Sequence, residues 1–232
     1  MEKKGFFYSR NTFGQMNINL NDIPKETANL FVKFAQLSFV QKFTLVGGTA
    51  LSLQTGHRQS IDLDFIYDGE KIPTTVIKRE ISKHFPNYKL IREEKDYQLD
   101  FLIDQVSVTF FSTGAVMIPF CVMDFSEKHE KINIANINII AVLKMATLAQ
   151  RNTIRDYYDL YFIAKHLLPL AKIMELSKKM LPNLSPITYT ETIIYTADLP
   201  ENSIENYLCP KEVVTKEEIS TFFIAELKKL RT

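Results

Sequence analysis

The stretch FTLVGGTALSLQTGHRQSIDLDFI, residues 43–66, constrains this chain more than any other. Its short apolar run (Phe43, Leu45, Val46) has the form of a buried strand that stops at Gly47-Gly48. A short helical segment over Thr49–Gln54 follows and ends at Gly56. The next segment alternates Ile61, Asp62, Leu63, Asp64, Phe65, the pattern of a half-buried strand. Strand side chains alternate faces, so the two aspartates should share one side, roughly 7 Å apart, with the apolar residues on the other. Glycine lets a backbone approach a phosphate closely, and the amides opening the next helix supply donors. A glycine turn beside paired carboxylates can therefore hold a polyphosphate and a divalent cation together. Singly the parts are commonplace: paired glycines usually make only a turn, and an Asp-x-Asp strand only a solvated face. Their order and closeness make the combination informative.

The rest of the 232-residue chain supplies a core and few other clues. Aromatic and aliphatic residues are plentiful, as in a globular protein. The formal charge is +1, so no global field advertises nucleic acid or membrane, although a local basic patch would vanish in the sum. Cys121 and Cys209 have no metal-ligand spacing, which suits a reducing compartment. The opening MEKKGFFYSR lacks a signal peptide's apolar core, and no apolar run approaches ~18 residues. A cytoplasmic protein with no membrane association is expected.

Helical periodicity starts after Asp22-Ile23-Pro24 (Leu30, Phe31, Phe34, Leu37) and returns over Pro73–Phe85. Strands are expected over Tyr88–Ile91, Tyr97–Ile103, Val106–Phe111 and Val116–Met123, with Asp104-Gln105 as a tight hairpin turn. From Asn138 the pattern is helical. One face carries Ile139, Ile140, Leu143, Ala146 and Thr147, and a second helix carries Ile154, Tyr157, Tyr158, Tyr161 and Phe162. Further helices are expected over Leu170–Met180, Ile187–Ala197 and Lys216–Arg231, separated by prolines. The expected architecture is α+β: a mixed-sheet core over residues 1–135 and a helical region over 136–232 that contributes to the cleft.

The order strand, Gly-Gly, helix, Asp-x-Asp resembles the polymerase-β-like nucleotidyltransferase superfamily. The fuller string GGTALSLQTGHRQSIDLDF, with LKMATLAQRNTIRDYYDLYFIAKH further on, resembles its AbiEii/AbiGii-type branch, the toxins of type IV toxin–antitoxin systems. The resemblance spans roughly residues 25–165. It implies a polymerase-β-like core in which Asp62 and Asp64 bind Mg²⁺ and, with Lys144 and Asp159, form the catalytic set. Gly47, Gly48, Thr49, Arg58, Lys144 and Asp156 then bind the nucleotide. Two metal ions in such a site activate an attacking hydroxyl and neutralise the leaving pyrophosphate.

Each residue also has a plainer reading. Lys144, among apolar neighbours, either snorkels to solvent or enters a cleft. Asp156 and Asp159, three apart on one helical face, either serve the site or pair with Arg151, Arg155 or Lys165. Asp159 is the first choice as base or lysine partner. Arg58 either reaches the triphosphate or pairs with Asp68 or Glu70. His57 and Ser60 are weaker candidates, His57 as a solvated loop residue. Two departures from the superfamily stand out. Gly48 replaces a common serine, and the strand QVSVTFFS offers Thr109 where many members carry a third carboxylate. Asp100, on the preceding strand, is the available substitute.

The resemblance implies transfer of a nucleotide from an NTP to an acceptor, with tRNA the first candidate and an antitoxin protein as partner. A small-molecule nucleotidyltransferase of the antibiotic-modifying kind and a catalytically silent NTP-binding module are the alternatives. A Lys/Arg patch beside Asp62 would favour RNA; an acidic, enclosed pocket would favour a cationic drug.

Overall fold

A computed structural model describes residues 16–151, 153–196, 199 and 209–230. After a single 3-10 turn at Leu20–Asp22, helix α1 (Lys25–Ala35) begins behind Pro24, whose fixed φ suits a helix entrance. Strand β1 (Phe43–Val46) then runs into helix α2 (Gly47–Thr55), which Gly56 closes in the left-handed region at φ 60°. Next come β2 (Leu63–Tyr67), α3 (Thr74–His84), β3 (Tyr88–Glu94), β4 (Gln98–Ile103) and β5 (Val106–Ser112). The hairpin β6 (Ser126–His129) and β7 (Ile132–Ala135) completes the strands. The seven strands form one mixed sheet in the order β3-β4-β5-β2-β1-β7-β6. The β1–β7 and β2–β5 pairs are parallel, and the other neighbours are antiparallel.

The chain turns helical after Ala135. Helix α4 (Ile137–Leu148) is capped by the Asn136 side chain, which accepts from the Ile139 amide, and is followed by α5 (Ile154–His166), α6 (Leu170–Met180) and α7 (Pro186–Ile194). Helix α8 (Lys216–Lys229) starts with a reciprocal Thr215–Glu218 capping box. The expected ends Ala197 and Arg231 lie outside the described residues. Buried side chains from both parts of the chain belong to one apolar cluster.

Alternation along the central strands separates two environments. Leu63, Phe65, Leu99, Phe101, Val108 and Phe110 are fully buried on one face. There the Phe65 and Phe110 rings stack at 5.2 Å, and Phe34 of α1 meets Phe85 at 4.8 Å. The opposite face carries Asp64, Ile66, Gln98, Thr109 and Phe111 toward α4. That second face holds the cleft.

Two sequence expectations need correction. Asp62 lies just before β2 rather than in it. The expected strand Val116–Met123 is a series of turns. Met117 takes a positive φ of 53°, Pro119 has no N–H for a ladder, and the Asp68 carboxylate accepts from the Val122 and Met123 amides (2.7 and 2.9 Å). Conversely, Ser126–His129 pairs as an edge strand although its sequence, SEKH, lacks apolar alternation. The expected turn at Asp104-Gln105 is present. Both residues have positive φ (49° and 68°), as a type I′ hairpin requires.

Candidate active site

The glycine turn is fitted to its neighbours atom by atom. Gly47 has φ +76°, and a Cβ there would lie 2.9 Å from an Asp64 carboxylate oxygen. At Gly48 a Cβ would fall 2.3 Å from Arg58 Nη2 and 2.8 Å from Ser60 Oγ. The serine common elsewhere is therefore excluded by the guanidinium lying against the turn. The Thr49 hydroxyl is buried beneath; it hydrogen-bonds Ser60 Oγ at 2.9 Å and donates to the Asp62 carbonyl. Its side chain thus clamps the aspartate loop and is not free for a phosphate, leaving only backbone groups for that task.

Behind the turn lies a buried ionic cluster. Arg58 donates through Nε and Nη2 to both oxygens of Asp159 (2.5 and 2.8 Å) and through Nη1 to the Gln59 carbonyl (2.9 Å). It pairs with neither Asp68 nor Glu70; three of its five N–H groups are spent on Asp159 and the Gln59 carbonyl. His57 is fully buried, contrary to the solvated role expected of it, with Nε2 2.7 Å from Asp159 and Nδ1 3.2 Å from the Thr55 hydroxyl. Burial lowers the His57 pKa, opposed by Asp159. Lys144 does not snorkel: its Nζ sits 2.7 Å from Asp156 and 2.5 Å from Asp159, at the cleft wall. Asp156 also accepts from Thr153 Oγ1 (2.6 Å) and Arg151 Nε (3.1 Å).

These pairings decide the charges. Burial works against ionisation of Asp159, but Arg58, Lys144 and His57 outweigh it and hold its carboxyl well below the ordinary range. Asp156 is lowered against the same burial by Lys144 and Arg151. Asp159 therefore makes a poor proton acceptor and a strong anchor for Lys144 and Arg58. Asp64 behaves oppositely. Burial, and then the nearby Asp62 charge, push its carboxyl up to about 6, with Lys144 and Arg151 pulling down. Asp62 remains open, 37% exposed, and faces Arg155 Nη1 at 3.8 Å.

Asp64 lies directly beside Thr109 on β5, and Thr109 beside Asp100 on β4. Asp100 is thus two strands away, about 10 Å by sheet spacing, too far to share an ion with Asp64. No group of three or more carboxylate, His or Cys ligands occurs among the described residues. A divalent cation nevertheless suits the Asp62–Asp64 pair. The repulsion that raises Asp64 would be relieved by a positive charge, and such ions ordinarily complete their shells with phosphate oxygens and water.

Between the sheet and α4 runs a cleft of ≈ 290 Å³ reaching from Gly47, Asp64 and Lys144 to Phe111, Val116 and Ile118. Gln98, Gln150 and Arg151 also line it. Gln98 and Gln150 were not singled out in the sequence; the alternation of QLDFLI places Gln98 on the face of Asp100, but nothing local says that this face meets a cleft.

A family model described as "Nucleotidyl transferase AbiEii toxin, Type IV TA system" matches residues 30–183. The chain belongs to the AbiEii nucleotidyltransferase toxin family. An uncharacterised protein of Aquifex aeolicus (strain VF5) is 30% identical over 217 residues, covering 90% of this chain and 98% of that one. Among solved structures, the nucleotidyltransferase toxin MenT4 of Mycobacterium tuberculosis H37Rv matches with a TM-score of 0.56 at 15% identity, over 88% of this chain and 84% of that one. JHP933 from Helicobacter pylori matches at 20% identity and a TM-score of 0.48, over 90% and 95% of the two chains. This AbiEii-family chain is accordingly a nucleotidyltransferase, with the mixed sheet and flanking helices of that fold. No helix among its described residues is long and apolar enough to cross a membrane.

Proposed function

We propose that this chain transfers a nucleotide from an NTP to RNA, with tRNA the first candidate, acting in the cytoplasm as the toxin of a type IV pair whose partner is a cognate antitoxin. One observation carries the reading: Gly47, Asp64 and Lys144 line one cleft between sheet and α4, and Asp62 lies near enough for its charge to act on Asp64. In this reading backbone groups of the turn cradle the phosphate tail, and Lys144, tethered by Asp156 and Asp159, places a point charge beside it. Asp62 and Asp64 hold Mg²⁺, which supplies electrostatic stabilisation to the reacting phosphate and the departing pyrophosphate. Asp159 serves as a positioning residue: it fixes Lys144 from α5 and, through Arg58, the glycine turn from below.

The charge around the mouth supports a polyanionic acceptor over a cationic drug. Arg151 and Arg155, 64% and 50% exposed, stand beside the carboxylates with Lys144 in the wall. Incubation with Mg²⁺, each α-labelled NTP and total tRNA should label RNA with the native protein and not with Asp62→Ala. Label on neither RNA nor any small acceptor, together with unaffected growth on expression, would remove the toxin reading.

A further inference from the structure

Two parallel rows of side chains cross the sheet on its cleft face, and all of them but Asp100 line the cleft. The first row runs Asp64, Thr109, Asp100 across β2, β5 and β4; the second runs Ile66, Phe111, Gln98. The first row meets the glycine turn and Lys144 at its Asp64 end. The second is mostly apolar and is roofed by Val116, Ile118, Ile140 and Leu143. Apolar walls with a single convergent polar group suit a flat heterocycle whose edge must be read. Gln98 is that group in the second row.

Its orientation follows from chemistry. Gln98 Nε2 donates to both oxygens of Asp100 (2.8 and 3.1 Å). A carboxylate only accepts, so turning the amide over would set Oε1 against two oxygens. Asp100 therefore keeps the Gln98 amide one way round, with Oε1 on the side away from the carboxylate. Among the described residues no donor meets that oxygen, although Gln98 lines the cleft. An acceptor held in place beside the cleft with no protein donor is open to a donor on the ligand.

We infer that Gln98, oriented by Asp100, is a specificity-determining residue that accepts a hydrogen bond from the exocyclic amine of a nucleobase. This rests on the reading of the cleft as an NTP site and adds to it a preference for amino over keto bases. Gln98 chooses CTP over UTP, and ATP over ITP.

The test is calorimetric binding of non-hydrolysable α,β-methylene analogues of CTP, UTP, ATP and ITP in Mg²⁺. A keto oxygen facing Oε1 leaves both unpaired, so the amino member of each pair should bind about tenfold more tightly. Asp100→Asn removes the constraint on the amide and should bring each pair to within about twofold. Gln98→Leu keeps the bulk and should bring the amino member of each pair down to the affinity of the keto member. A purely structural role for the Gln98–Asp100 pair would weaken all four ligands alike and leave their ratios unchanged, which would overturn the inference. Equal binding of both members of each pair by the native protein would also overturn it, with the NTP reading intact. If none of the four binds, the NTP reading fails and the inference falls with it.

Discussion

Gly48 shows how tightly one residue can be specified by another far away. Arg58 Nη2 occupies the space a Cβ would need, and Asp159, on α5, holds that guanidinium there. Gly48→Ala should therefore cost about 1–3 kcal/mol, as overpacked sites do, with a lowered midpoint in urea unfolding. Asp159→Asn is the harsher change, because it leaves Arg58 and Lys144 buried against a neutral amide. A loss of about 3–5 kcal/mol is expected. Thermal unfolding of Asp159→Asn alongside Asp156→Asn would check the ranking, since Asp156 lacks the bidentate arginine and should cost less. The pattern of residues 47–64 was readable from composition and spacing because it is local. The partner of Arg58 was not, because it lies 101 positions along the chain and neighbouring acids looked equally available. The same distance hid the burial of His57, whose polar local context gives no sign of Asp159.

Elements with strong periodicity were legible nearly to the residue. Helix α6 spans Leu170–Met180 as its apolar spacing indicates, and the β4–β5 hairpin turns at Asp104-Gln105. Elements whose form is imposed by tertiary contacts were not. The run VMIPFCVM looks like a strand by composition, yet it is turned into a roof for the cleft by Asp68, which accepts two amides of the segment that follows β5. Asp68→Ala should release Val122 and Met123 and loosen Val116 and Ile118, which line the cleft. The expected result is a loss of about 1–3 kcal/mol of stability and weaker nucleotide affinity. Hydrogen exchange should show faster opening over residues 115–123 with the sheet amides unchanged; uniform acceleration across the protein would contradict this local assignment.

At the scale of the whole molecule the buried titratable groups act against one another. His57 has a lowered pKa, so as pH falls through about 6.5 the unfolded chain gains a proton that the native state resists, and stability declines. Asp64 has the reverse sign. Its native carboxyl is raised to about 6 from 3.8, so the native state takes up a proton first, and stability increases as pH falls between those values. The depressed Asp156 and Asp159 stabilise the fold above their ordinary range and lose that contribution only as acid reaches their lower native values. In metal-free buffer the native protein should therefore show a shallow shoulder from about pH 6.5 to pH 4, then a steep acid limb. Asp64→Asn removes the repelled, desolvated charge. At pH 8 it should be more stable than the native protein by about 2–3 kcal/mol, several degrees in Tm for a chain of this size. The gap should shrink as pH falls from 6 to 4 and close below that, once the unfolded carboxyl is protonated as well, and the variant should lose the shoulder because His57 then titrates without compensation. Saturating Mg²⁺ should narrow the gap at pH 8 by raising the native protein alone, because the variant lacks one ligand. A gap that stays constant with pH would mean that Asp64 carries an ordinary carboxylate and that its neighbours do not form the electrostatic unit described.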